Sequence, residues 1–188
     1  TLRTVIQKRN FRTLIGMVGF ARGLGVSKIS FLAADVRSDG FGRAGRGAVV
    51  PEEALLLDEG EVLEYRALVR RMASACSREF ASGFIAESPE KLMRIADYFD
   101  ALLGRGPFPQ NVCNAPMVSA VITSTGELLP CYFLPAFGNV REAPLRDTLN
   151  GPGIRSTRSD VRAGTPHQCR TCVCTLHVSR ARALTGRF

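Results

Sequence analysis

With 188 residues, 45% of them hydrophobic and 22% charged, the chain has globular composition, away from the low-hydrophobicity, high-charge signature of disorder, and is long enough for one core plus a small appendage. No run approaches the roughly 18 apolar residues of a membrane span, and no signal-peptide pattern opens the sequence, so the cytoplasm is the expected compartment and no membrane partner is expected. The net charge of +8 comes from 22 arginines against Lys8, Lys28 and Lys91. The arginines are scattered from Arg3 to Arg187 without interleaved aromatics, so they read as solvated faces and not as a nucleic-acid site.

The opening TLRTVIQ reads as the middle of a strand with no turn leading into it, which makes the chain look like a piece of a longer protein. Thr4 to Gln7 is the expected strand. Asn10 is the expected N-cap of a helix carrying Phe11, Leu14, Ile15, Val18 and Ala21 at helical spacing, closed by Gly25. Val26 to Leu32 gives a second strand, and strand, helix, strand is a parallel βαβ unit. Downstream, Asp58 with Glu61 predicts a capping box for a helix with Val62, Tyr65, Leu68 and Met72 on one face. Cys76, one turn further along that stripe, reads as a small buried hydrophobe. A third strand is expected around Phe80 to Ala86, then a helix capped by Ser88 with Pro89 at its first position and Glu90 near the positive end of its dipole. Gly104 ends it, and RGPFPQN is a linker.

Beyond the linker the pattern becomes that of a hairpin, Val118 to Thr123 and Leu128 to Phe133 around a turn at Ser124 to Gly126, followed by helical pieces near Leu145 and Ile154. Two domains are therefore expected, 1–105 built of βα units and 106–188 a small cysteine-bearing module.

That module holds Cys113, Cys131, Cys169, Cys172 and Cys174, three of them within HQCRTCVCTLH. In a reducing compartment clustered thiols point to metal binding or catalysis more than to disulfides. Cys113 and Cys131 bracket the hairpin, and Cys169-x-x-Cys172 is a turn that aims two thiolates at one centre. Zinc and iron–sulfur clusters both accept four cysteines, so the donor count leaves both open. Zinc ribbons usually draw each thiol pair from a short knuckle, whereas 17 residues separate Cys113 from Cys131, which favours a cluster. A redox CxxC is the weaker reading, because no strand-to-helix junction precedes it. His167 and His177 read as ordinary solvated or hydrogen-bonded histidines.

CNAPMVSAVITSTGELLPCYF, with Cys-x12-Gly-x4-Cys spacing, then FGNVREAPLRDTLN and CRTC, resembles the C-terminal auxiliary-cluster module of radical S-adenosylmethionine enzymes, the SPASM/twitch class. TVIQKRNFRTLIGMVGFARGLGVSKISFL is similar to the later βα units of the partial barrel in that superfamily. The resemblance implies an α/β fold, the C-terminal part of a partial (β/α)6 TIM-like barrel followed by a small cysteine-rich module with a β-hairpin. It implies one auxiliary [4Fe-4S] cluster on Cys113, Cys131, Cys169 and Cys172, with Cys174 spare or an alternative to Cys172. Gly126, Pro130 and Gly138-Asn139 would shape the hairpin and the reversal around the cluster. Thr4 matches a polar position that often contacts the ribose of S-adenosylmethionine.

The implied activity is that of an oxidoreductase or a peptide- or small-molecule-modifying enzyme, which cleaves S-adenosylmethionine reductively to a 5′-deoxyadenosyl radical that takes a hydrogen atom from substrate. A reductant such as flavodoxin or ferredoxin would supply electrons. The Cys-x3-Cys-x2-Cys motif that holds the second, radical-generating [4Fe-4S] cluster does not occur in residues 1–188 and is expected upstream. The competing class is a zinc-stabilised basic nucleic-acid- or protein-binding module without catalysis. Gly40, Gly42 and Gly45 match a dinucleotide fingerprint by letter only, since no helix opens on them. They read as a loop, from which Asp35, Arg37 or Asp39 would approach substrate.

Overall fold

The computed structural model describes residues 1–38 and 52–179. These form two compact units, one holding residues 1–36 and 52–109, the other residues 37–38 and 110–179. The architecture is mixed helix and strand with two small sheets, one two-stranded and one three-stranded.

In the first unit, β1 (Leu2–Ile6) and β2 (Ile29–Ala33) are parallel, with Leu2 opposite Ile29 and Ile6 opposite Ala33. The crossover between them is a 3-10 turn, Phe11–Thr13, running into α1 (Leu14–Gly23), with Gly25 at φ 66° ending it. Asn10 does not cap this helix. Its carboxamide donates to Val5 O (2.8 Å) and accepts from Gln7 N (3.0 Å), so it satisfies the outer edge of β1 instead.

α2 (Glu59–Ala75) opens with the expected capping box, Asp58 accepting from Glu61 N while the Glu61 carboxylate accepts from Asp58 N. It packs its Val62, Tyr65, Val69 and Met72 face, and the Tyr65 hydroxyl donates to Leu92 O of α4 (Pro89–Leu102) at 3.1 Å. α4 starts as expected, with Ser88 Oγ accepting from Lys91 N and Pro89 in the first turn. Gly104, at φ 73°, follows its end.

The third strand is where expectation and structure part. Residues Ser77–Ala81 form a short helix, α3, and only a single parallel bridge, Ile29 to Ile85, extends the sheet. Ile29 N donates to Phe84 O and Ala86 N donates to Ile29 O. At the next position, where a strand would offer its backbone, the Glu87 carboxylate takes over: it accepts from Phe31 N (2.7 Å) and from Ser30 Oγ (2.9 Å). Ser88 must then cap α4 and Pro89 has no N–H, so the strand cannot continue. Two parallel strands and one bridge make no partial barrel among the described residues.

In the second unit, α5 (Ala115–Val118) precedes β3 (Val121–Ile122), which pairs antiparallel with β4 (Glu127–Leu129); β5 (Gly138–Asn139) adds on β4's other side. The hairpin is shorter than expected, because Val118 is helical and Pro130 breaks the second strand. Gly126 turns it at φ 88°, and a Cβ there would meet Asn139 Oδ1 at 2.7 Å. A Cβ on Gly138 would collide with Thr148 Cγ2 of α6 (Leu145–Thr148). α7 (Pro152–Ala163) buries Ile154, and α8 (His167–Arg170) leads into the cysteine loop. No helix among the described residues is long and apolar enough to cross a membrane.

A candidate metal centre

The module's five cysteines, none of them disulfide-bonded, lie in the second unit and are half-buried. Each rides on a different local device. Cys113 lies in the irregular stretch before α5. Cys131 follows Pro130 at the end of the hairpin, where the chain turns back on itself so that Phe133 and Leu134 donate backbone N–H groups to its sulfur. Cys169 sits in α8, whose carboxyl end delivers Cys172, and the Cys172 sulfur accepts the Cys174 N–H at 3.3 Å.

These thiols act on one another. Burial pushes the Cys172 thiol up to about 12, opposed by the Cys174 N–H and reinforced by the charges of Cys174, Cys113 and Cys131. Cys131 is raised by burial, opposed by its two backbone donors and reinforced by Cys113 and Cys174. Cys169 is raised by burial, then by Cys131 and Cys113. Raised in this way, Cys131, Cys169 and Cys172 hold their protons, and a metal that takes them as thiolates must displace those protons. Among the described residues no three His, Cys, Asp or Glu side chains converge tightly enough to hold a single metal ion.

Two residues without any distinguishing sequence signal tie the site together. Asn111 Nδ2 donates to Cys169 O (2.9 Å) and to Cys172 O (2.8 Å). Asn114 Nδ2 donates to Val178 O (2.7 Å), its Oδ1 accepts from Val178 N (2.9 Å), and its own N–H donates to Leu176 O (2.8 Å). Cys113 lies between them in the chain.

The other sequence-derived candidates fall elsewhere. Thr4 is a half-buried residue in the middle of β1, opposite Phe31, in the first unit. Cys76 is buried at the end of α2, and burial raises its thiol, followed by the Glu79 charge, as suits a packing residue. His167 and His177 are exposed. Asp35 is half-buried and Arg37 exposed, while Asp39, Gly40, Gly42 and Gly45 lie outside the described residues.

Residues 113–173 match the SPASM family model, described as an iron–sulfur cluster-binding domain. Cys113, Cys131, Cys169 and Cys172 fall inside the matched stretch and Cys174 just outside it. Searches of curated proteins and of solved structures return no match.

Proposed function

We propose that residues 106–188 form an auxiliary cluster module holding one [4Fe-4S] cluster through Cys113, Cys131, Cys169 and Cys172. In the same reading, residues 1–105 are βα units from the partial barrel of a radical S-adenosylmethionine oxidoreductase or peptide- or small-molecule-modifying enzyme. One observation carries it: four free thiols of one unit, Cys113, Cys131, Cys169 and Cys172, fall within a stretch that matches an iron–sulfur cluster-binding family model.

When bound, such a cluster supplies a site that accepts or relays an electron, or binds substrate. The chain's own residues prepare for it. The N–H groups of Phe133, Leu134 and Cys174 are aimed at sulfurs that must carry negative charge as ligands, which favours the thiolate form and tunes the potential of what they hold. Cys172 has such a donor on its sulfur, which supports it over Cys174 as the fourth ligand. Thr4 would contact the ribose of S-adenosylmethionine, with the second [4Fe-4S] cluster, the substrate and a flavodoxin- or ferredoxin-like reductant belonging to the complete cytoplasmic enzyme.

The test is anaerobic reconstitution of the chain with iron and sulfide. Brown protein with about four irons and matching acid-labile sulfide per chain supports the reading. Colourless protein with one zinc per chain would replace it with the zinc-stabilised binding module.

A further inference from the structure

We propose that Asn111 is a positioning residue of the thiol site, whose side-chain amide fixes the Cys169–Cys172 turn, and hence both of its sulfurs, against Cys113. The proposal rests on the cluster reading above and deepens it.

An asparagine amide nitrogen has two N–H bonds, and both are spent here, one on each carbonyl of the two CxxC cysteines. Because both acceptors are carbonyl oxygens, which cannot donate, the orientation of the carboxamide is fixed by chemistry. The turn it holds has little regular structure of its own. After α8 the backbone runs without helix or strand to residue 179, and its bonds are to other parts of the unit: Asn114 N to Leu176 O, and the Asn114 carboxamide to both backbone groups of Val178. The segment carrying Cys169 and Cys172 is therefore held to the segment carrying Cys113 by two carboxamides, one on each side of Cys113. Asn111 is the one that grips the ligand turn itself, across a separation of 58 residues to Cys169.

The direction of a cysteine's carbonyl sets the direction of the following peptide, and the sulfur of Cys172 depends on the Cys174 N–H two residues on. Releasing the Cys169 and Cys172 carbonyls re-aims that stretch. One thiolate would then bind loosely, and both the count of irons held and the potential of the cluster would respond.

The experiment uses the whole 188-residue chain, reconstituted anaerobically with ferrous iron and sulfide, as wild type, Asn111→Asp and Asn111→Gln. Asp is nearly isosteric but cannot donate when ionised, and it sets a negative charge against two carbonyl oxygens. Gln keeps the donor one methylene further out. Far-ultraviolet circular dichroism reports the fold, electron paramagnetic resonance distinguishes a four-iron from a three-iron cluster, and a redox titration gives the potential. With wild-type circular dichroism, Asn111→Asp should show about 10-fold weaker iron retention against a chelator and a three-iron signal, the size of effect that residues orienting metal ligands usually have. Asn111→Gln should keep four irons at a shifted potential. Wild-type retention, signal and potential in Asn111→Asp would overturn the role. If Asn111→Asp does not fold, an unchanged potential in Asn111→Gln overturns it. A wild-type chain that takes up no iron–sulfur cluster overturns the functional reading and this role together, whereas a wild-type cluster indifferent to Asn111 overturns this role alone.

Discussion

Only Val173 separates Cys172 from Cys174, yet the two differ in what their sulfurs meet. The Cys172 sulfur accepts a backbone N–H, and Cys172 falls within the stretch that matches the cluster-binding family model. Cys172→Ala should therefore lose most of the reconstituted iron, and Cys174→Ala should keep it, as measured by iron and sulfide per chain. The reverse ranking would move the ligand turn to Cys169-x4-Cys174. Cys76→Ala should leave the iron untouched, because Cys76 is packed in the first unit with its thiol raised by burial. The cysteines were legible in the sequence because a thiol is rare and its spacing is diagnostic. Asn111 was not, since an asparagine's role lies in partners at distant positions that no local pattern encodes.

At the scale of elements, the helix caps at Asp58 and Ser88 were readable, whereas the Asn10 carboxamide, which turns back to Val5 and Gln7 instead of capping, and a side chain that replaces a missing strand were not. The Asp58–Glu61 box and the Ser88 cap are local and appear as expected. The apolar stretch Phe80 to Ala86 has strand composition, but the bonds that would have extended it go to Glu87, and a carboxylate standing in for a strand leaves no periodicity to detect. Glu87→Ala should destabilise the first unit by about 1–3 kcal/mol in urea unfolding, because Phe31 N and Ser30 Oγ lose their acceptor inside the protein. No change would show that water or a neighbour replaces the carboxylate at no cost. Ser88→Ala should cost about 0.5–2 kcal/mol through the lost cap.

The Asp58 cap adds a pH dependence. Its carboxyl is held below the ordinary carboxylate value first by the Glu61 N–H and then by Lys8. A group whose folded pKa is depressed stabilises the fold above its unfolded pKa, near about 4, and that contribution disappears as pH falls through the lower folded value. Acid unfolding of the wild type should therefore be steeper below about pH 4 than that of Asp58→Asn, which retains an acceptor but does not titrate. Superimposable acid limbs would remove Asp58 from the account.

Near the linker RGPFPQN glycine and proline interrupt the helical pattern, whereas the short hairpin and the single bridge in place of a third strand depended on tertiary hydrogen bonds that no local pattern encodes. At the scale of the whole molecule, thiol supply limits the chemistry the chain can perform. Of its six cysteines, Cys76 is committed to packing in the first unit and four are assigned to one cluster, which leaves Cys174. A cluster that binds S-adenosylmethionine needs three protein thiolates, with one iron open to the amino and carboxylate groups of the ligand, and one remaining cysteine cannot provide them. The reconstituted 188-residue chain, given S-adenosylmethionine and a strong reductant, should therefore produce no 5′-deoxyadenosine above a control lacking protein. The same assay on a longer chain carrying a Cys-x3-Cys-x2-Cys motif should produce it. Turnover by the 188 residues alone would mean that the thiols of the second unit themselves generate the radical, and would overturn their assignment as an auxiliary site.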